Sequence, residues 1–171
     1  MKKKYMPLWG LFAALFCISA WICLPLGNLV FSLQTGVLFA SLFLLGGKAT
    51  SGVVFIYLLL GIVGLPVFSG FRGGIGMLLG PTGGYLLGFL ACSLLYWLIN
   101  PKAKNQKITA ALLGLALCYT FGALWLRFVY AKEGSLTLIL LQSVVPYILP
   151  DFAKLFFGFF LSKRLSAMIS A

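Results

Sequence analysis

Residues 108–129, ITAALLGLALCYTFGALWLRFV, hold no charge between Lys107 and Arg127. A helix needs about 20 consecutive apolar residues to cross the hydrocarbon layer of a membrane, and this run supplies them. Five further apolar stretches surround it: Pro7 to Leu26, Leu29 to Gly46, Ser51 to Gly64, Gly83 to Ile99 and Leu136 to Leu161, each bounded by charge, Gly or Pro. The Ser51 stretch is short for a span, which predicts a start nearer Gly47 or a continuation into the glycine-rich segment after it. Pro146 and Pro150 interrupt the last stretch, so Leu136 to Val145 is expected as a separate short element. The final helix is then expected to start near Pro150, since proline is favoured in a first turn. The fold class expected is an all-α integral membrane protein of six transmembrane helices, residues 1–171 forming one domain.

Composition agrees. The chain is 62% hydrophobic and 9% charged, with a mean hydropathy of +1.10, against roughly 25% charge in soluble domains. Its net charge of +11 comes from thirteen Lys and Arg, set mainly between the apolar runs, where they read as topology signals and contacts to membrane lipid. No separate basic domain exists, so nucleic acid is not an expected partner. With the N-terminus inside, Lys2, Lys3, Lys4, Lys48, Lys102, Lys104, Lys107, Lys163 and Arg164 fall on the cytoplasmic side, and Arg72, Arg127, Lys132 and Lys154 on the outer side. Six spans put both termini in the cytoplasm, together with the basic loop Pro101 to Lys107. The basic start before an apolar run imitates a signal peptide but is read as the first membrane helix.

Cys17, Cys23, Cys92 and Cys118 lie inside apolar stretches without C-x-x-C spacing and read as packing residues. The chain has no histidine, which removes the commonest general base and metal ligand. No catalytic residue, metal or cofactor is expected.

A charge at bilayer depth costs on the order of 2.5–3.5 kcal/mol, so Asp151 and Lys154 need a reason to be there. Their i, i+3 spacing places them on one helix face, with Asp151 expected in a first turn where the helix dipole favours an anion. They form either a self-neutralising pair that fixes packing or a site completed by a polar ligand. Gln34 and Thr35 are open to the same two readings, as interhelical hydrogen bonds or ligand contacts. The segment from Gly64 to Phe89, GLPVFSGFRGGIGMLLGPTGGYLLGF, holds nine of the twenty glycines. Such density serves either close helix packing or exposed backbone donors around a ligand. No Walker lysine follows it, so ATP hydrolysis by a phosphate loop is excluded.

LPVFSGFRGG followed by GPTGGY resembles the signature of the BioY family, the biotin-specific S components of energy-coupling factor (ECF) transporters. Ser32-Leu33-Gln34-Thr35 is similar to the family's Thr-Leu-Gln-Thr element, and Leu149-Pro150-Asp151-Phe152-Ala153-Lys154 resembles its Pro-Gly-Asp-x-x-Lys element. Two departures are the absence of prolines in Gly27-Asn28-Leu29-Val30-Phe31 and of a glycine before Asp151. The resemblance implies a six-helix S component in the prokaryotic plasma membrane that captures biotin at its outer face, energised by a T component and two cytoplasmic ATPases. It implies substrate contacts by Asp151, Lys154, Gln34, Tyr85, Arg72, Gly74 and Thr82, with Phe71 or a tryptophan as a further apolar wall. It also implies T-component docking through Gly10, Ala13, Ala14 and Cys17 on the first helix. The rivals are the same fold with another carboxylated heterocycle, an intramembrane enzyme, and a purely structural membrane protein. The enzyme is disfavoured by the absence of histidine and by a single intramembrane carboxylate.

Overall fold

A computed structural model describes residues 6–26, 29–130 and 136–170. Lys2, Lys3, Lys4, Gly27, Asn28, Lys132 and Glu133 lie outside them. The helices are α1 (Met6–Trp21), α2 (Gln34–Leu45), α3 (Gly47–Ile62), α4 (Ile75–Leu79), α5 (Gly83–Ile99), α6 (Lys104–Trp125), α7 (Leu136–Ser143) and α8 (Val145–Ser170). α6 runs on into a wider π-helical turn, Leu126–Tyr130. Among the described residues, two helices, Lys104–Tyr130 and Val145–Met168, are long and apolar enough to cross a membrane on their own; Pro7–Trp21, Gln34–Leu45, Gly47–Ile62 and Gly83–Ile99 are shorter apolar helices.

The start of α3 at Gly47 is as expected. Three boundaries differ from the sequence reading. The first apolar stretch does not stay helical to Leu26, and the second is not helical from Leu29. Instead β1 (Cys23–Leu26) and β2 (Leu29–Ser32) pair antiparallel, Cys23 opposite Ser32 and Leu24 opposite Phe31. The cause at the second boundary is local: the Ser32 hydroxyl donates to Gln34 Oε1 at 2.9 Å and accepts the Gln34 backbone N–H at 3.4 Å, a turn that delays the helix to Gln34. α2 is therefore about 18 Å long at 1.5 Å per residue, shorter than the hydrocarbon layer is thick. At the third boundary, α8 begins at Val145 rather than near Pro150, which lies inside the helix. Pro146 already supplies the first-turn proline, and the first-turn N–H groups have no helical partner to lose. Asp151 is consequently beyond the first turn, and the dipole argument for it does not apply.

Glycines set how closely the helices approach. On α5 and α6 the contacts are reciprocal: Gly88 lies against Cys118, where an added Cβ would come within 2.7 Å of Sγ, and Gly114 lies against Cys92, at 2.5 Å from Sγ. Gly84 abuts Trp125, and a Cβ on Gly122 would overlap the Tyr85 ring. Small residues four apart on each helix form a seam of the kind that holds membrane helices together. Cys92 and Cys118 are buried in it, and Cys17 and Cys23 are half-buried and free. A second close approach joins α2 to α8, where a Cβ on Gly158 would stand 2.9 Å from the Ala40 nitrogen and 3.6 Å separates the Gly36 position from Lys154 Cβ.

On α1, Ala13 is buried in the core and Cys17 is half-buried, whereas Gly10 and Ala14 are exposed, with open space beside Gly10. The four residues thus do not share one outward face.

Gly114→Leu is expected to lower the detergent-solubilised protein's thermal midpoint, since overpacking costs typically 1–3 kcal/mol. Gly10→Ala, which meets nothing, should leave it unchanged.

Candidate substrate-binding site

The α2–α8 approach places Thr35 beside Asp151 and Lys154. Lys154 Nζ donates to Asp151 Oδ1 at 2.8 Å, to Thr35 Oγ1 at 3.0 Å and to the Ser32 carbonyl at 2.7 Å. An ammonium has three donors, and all three are used. Phe31, carried in by the hairpin, lies 3.8 Å from the same nitrogen by its ring centroid, a cation–π contact. Asp151 accepts further bonds from Thr35 Oγ1 at 2.8 Å and, on its other oxygen, from Tyr119 OH at 2.7 Å. Its side chain is 5% exposed and that of Lys154 11%, and they form the only ion pair among the described residues.

These groups form one wall of a cavity with an open mouth. Aromatic and aliphatic side chains make most of the remainder: Phe68, Leu86, Phe89 and Leu115 below, Phe31 and Tyr147 beside the pair. The N-terminal ends of α2 and α5, the C-terminal part of α6 and the N-terminal part of α8 all converge here. The loop between α3 and α4 closes one side. Phe68, fully buried, packs edge-on against Tyr57 at 5.5 Å, and the loop is clasped to α1 from outside. There Trp21 Nε1 donates to the Pro66 carbonyl at 2.8 Å and the indole stacks on Phe71 at 4.9 Å.

Of the residues expected to contact substrate, Asp151, Lys154, Gln34, Tyr85 and Thr82 line this cavity, as does Thr35. Gln34 also makes the interhelical bond that was its other reading: Nε2 donates to Tyr57 OH at 2.6 Å, while Oε1 accepts from Ser32 and, at 3.3 Å, from Ser69. Tyr85 OH donates to the Ser143 carbonyl at 3.0 Å, tying α5 to α7. Arg72 and Gly74 are not in the lining. Arg72 is exposed and pairs through its backbone with Phe68; Gly74, at φ 91°, donates its N–H to the Gly61 carbonyl at 2.7 Å and starts α4. Phe71 is 64% exposed and also lies outside. Sequence reasoning missed Phe31, Ser69, Tyr119 and Tyr147. Tyr119 alone left a signal, a hydroxyl in the middle of a long uncharged run.

The BioY family model matches residues 1–171. The chain belongs to the BioY family. It is 35% identical over 161 residues to the biotin transporter BioY of Thermotoga maritima, covering 93% of this chain and 94% of that one. A probable biotin transporter BioY of Pyrococcus horikoshii is 34% identical over 166 residues, covering 96% and 98%. In structure, the chain matches the crystal structure of the S-component for biotin from an ECF-type ABC transporter with a TM-score of 0.85. That match has 26% identity and covers 97% of this chain and 92% of that one. The helical fold of this BioY-family chain is thus that of an ECF S component.

Breaking a buried ion pair by removing one partner costs about 3–5 kcal/mol, whereas replacing both by apolar residues is often neutral. Lys154→Met alone is therefore expected to destabilise the protein strongly, and Asp151→Leu combined with Lys154→Met to restore most of its thermal stability.

Proposed function

We propose that this chain is a biotin-uptake S component: it captures biotin in the cavity beside Asp151 and Lys154 and delivers it across the membrane without covalent chemistry. The observation that carries this is a charge-neutral, hydrogen-bonding pair set into an otherwise aromatic and aliphatic cavity, in a chain whose relatives are named biotin transporters.

Biotin has an apolar fused ring, a ureido group with one carbonyl and two N–H donors, and a flexible chain ending in a carboxylate. The ring suits the walls of Phe68, Leu86, Phe89 and Tyr147. Asp151 already neutralises Lys154, so the cluster carries no net charge and presents a ligand with the Asp151 carboxylate as acceptor and the Thr35 and Tyr119 hydroxyls as donors. That combination matches the ureido group better than the carboxylate, which the open mouth leaves in contact with water. Thr35 and Tyr119 exchange their bonds to Asp151 for bonds that include the ligand.

The chain carries no Walker lysine, so energy comes from a partner. The reading includes an ECF T component and two cytoplasmic ATPases, with Gly10 and Ala14 as the small residues exposed for docking. The reading counts six crossings, α1, α2 with its hairpin, α3, α5, α6 and α8, with both termini cytoplasmic in a prokaryotic plasma membrane. Charge distribution supports this orientation: Lys48, Lys102, Lys104, Lys107, Lys163 and Arg164 gather at the end opposite the cavity, as the positive-inside rule requires.

Equilibrium binding of labelled biotin to the detergent-purified protein tests the assignment, beside monodisperse Asp151→Asn and Lys154→Ala variants. Saturable binding by the wild type is expected, weakened about 10–100-fold in either variant, the worth of a charged hydrogen bond. A well-folded wild type that binds no biotin sinks it. Biotin amide, which lacks the carboxylate, should compete within about tenfold of biotin; failure to compete would move the carboxylate onto Lys154.

A further inference from the structure

Phe31 enters the cavity from β2, next to the residue whose carbonyl holds Lys154, and three observations define what its ring does there. First, the ammonium has no proton left for a ligand. Its N–H groups go to Asp151, Thr35 and the Ser32 carbonyl, and an ammonium carries three. Second, the side chain is pinned along its length. Its stem runs against α2 at Gly36, where an added Cβ would stand 3.6 Å from Lys154 Cβ and 3.9 Å from Cδ, ordinary van der Waals contact.

Third, the Phe31 ring covers the ammonium, with its centroid 3.8 Å from Nζ, and stacks in turn on Tyr147 of α8 at 6.3 Å. Both rings line the cavity. A ligand carboxylate needs about 2.7–2.9 Å to an ammonium nitrogen, and the ring occupies that approach. Lys154 is the only cation in the lining among the described residues. The polar wall therefore offers the Asp151 carboxylate and the Thr35 and Tyr119 hydroxyls, while its one ammonium faces an aromatic surface.

We infer that Phe31 is a specificity-determining residue: its ring screens Lys154 from ligand carboxylates, so the site takes the uncharged end of a carboxylated ligand and leaves the carboxylate at the mouth. The inference rests on the proposed function, because it concerns how the same cavity chooses between the two ends of biotin. A cation–π contact holds the ring in place without supplying an acceptor that a ligand could exchange for its own. The negative face of the ring also opposes an approaching anion, so the barrier is one of charge as well as of space. With the ring removed, Lys154 can exchange a neutral acceptor, the Ser32 carbonyl, for a charged one, the ligand carboxylate.

The test measures displacement of labelled biotin by unlabelled biotin and by biotin amide, using the full chain purified in detergent. The readout is the ratio of the two dissociation constants, amide over biotin, because a general loss of packing weakens both ligands alike. The wild type is expected to hold the two within about tenfold of each other. Phe31→Ala should raise the ratio about tenfold or more above the wild-type value, as one charged hydrogen bond contributes. Phe31→Tyr, which keeps a ring over the ammonium, should retain the wild-type ratio. So should Leu24→Ala, opposite Phe31 in the hairpin, 62% exposed and outside the lining. Phe31→Val, well suited to a strand, serves if the alanine variant does not fold. An unchanged ratio in either folded variant overturns the inference while leaving biotin binding, and so the proposed function, intact. A wild type that prefers biotin to its amide by well over tenfold also overturns it, since Lys154 then meets the carboxylate with the ring in place. Loss of both ligands in both variants, each monodisperse, does the same, since the ring then supports binding as a whole. A wild type that binds neither ligand removes the proposed function and the inference together.

Discussion

The buried contact between α2 and α8 governs the rest of the molecule. Removing an aspartate and a lysine from water costs several kcal/mol per ion, and the attraction between them offsets this only when the remaining lone pairs and protons are also matched. Here they are matched within one small cluster: Ser32, Thr35 and Asp151 take the three protons of Lys154, and Thr35 and Tyr119 complete Asp151. The close backbone approach that Gly158 permits brings Thr35 into range. The delayed start of α2 then positions the Ser32 carbonyl, and the hairpin sets Phe31 over the ammonium. Local turn chemistry, helix spacing and charge burial are thus one constraint.

The rigid half of the bundle lies elsewhere, along the α5–α6 seam, where glycine and cysteine alternate across the interface. A seam of small residues gives extensive backbone contact with little side-chain freedom to lose on ordering. The cavity therefore has a fixed floor from α5 and α6 and a wall from α2 and α8. Its sides come from thinner elements: a two-stranded hairpin, a loop and the short α7. Binding can rearrange these at lower cost than the helix core, as local stability is lowest where few buried contacts hold a segment.

How much of this was legible in the sequence depended on contrast. Asp151 and Lys154 stand out because charge inside an apolar run is expensive, and Gln34 and Thr35 because they are polar there. Phe31 and Tyr147 gave no such signal, since an aromatic residue in an apolar run reads as packing until the fold brings it against a polar group. The hairpin was hidden for a related reason. Cys23 to Leu26 and Leu29 to Ser32 are as apolar as the helices beside them, and in a membrane protein hydropathy marks burial rather than backbone conformation. The start of α8 was misplaced because Pro146 and Pro150 are both acceptable helix-initiating residues, and only the tertiary structure chooses the earlier one. Arg72 was drawn toward the cavity by its place in a motif, yet its loop turns the side chain outward.

The clasp between Trp21 and the α3–α4 loop has a thermodynamic corollary. One indole hydrogen bond and one ring stack join the end of a peripheral helix to the segment that carries Phe68 into the cavity. Whatever stabilises one arrangement of that loop must then weigh on the arrangement of α1, and the reverse holds with the same coupling free energy, because linkage is reciprocal. A ligand in the cavity and a protein leaning on α1 would in that way sense each other's presence across the clasp without sharing any atom.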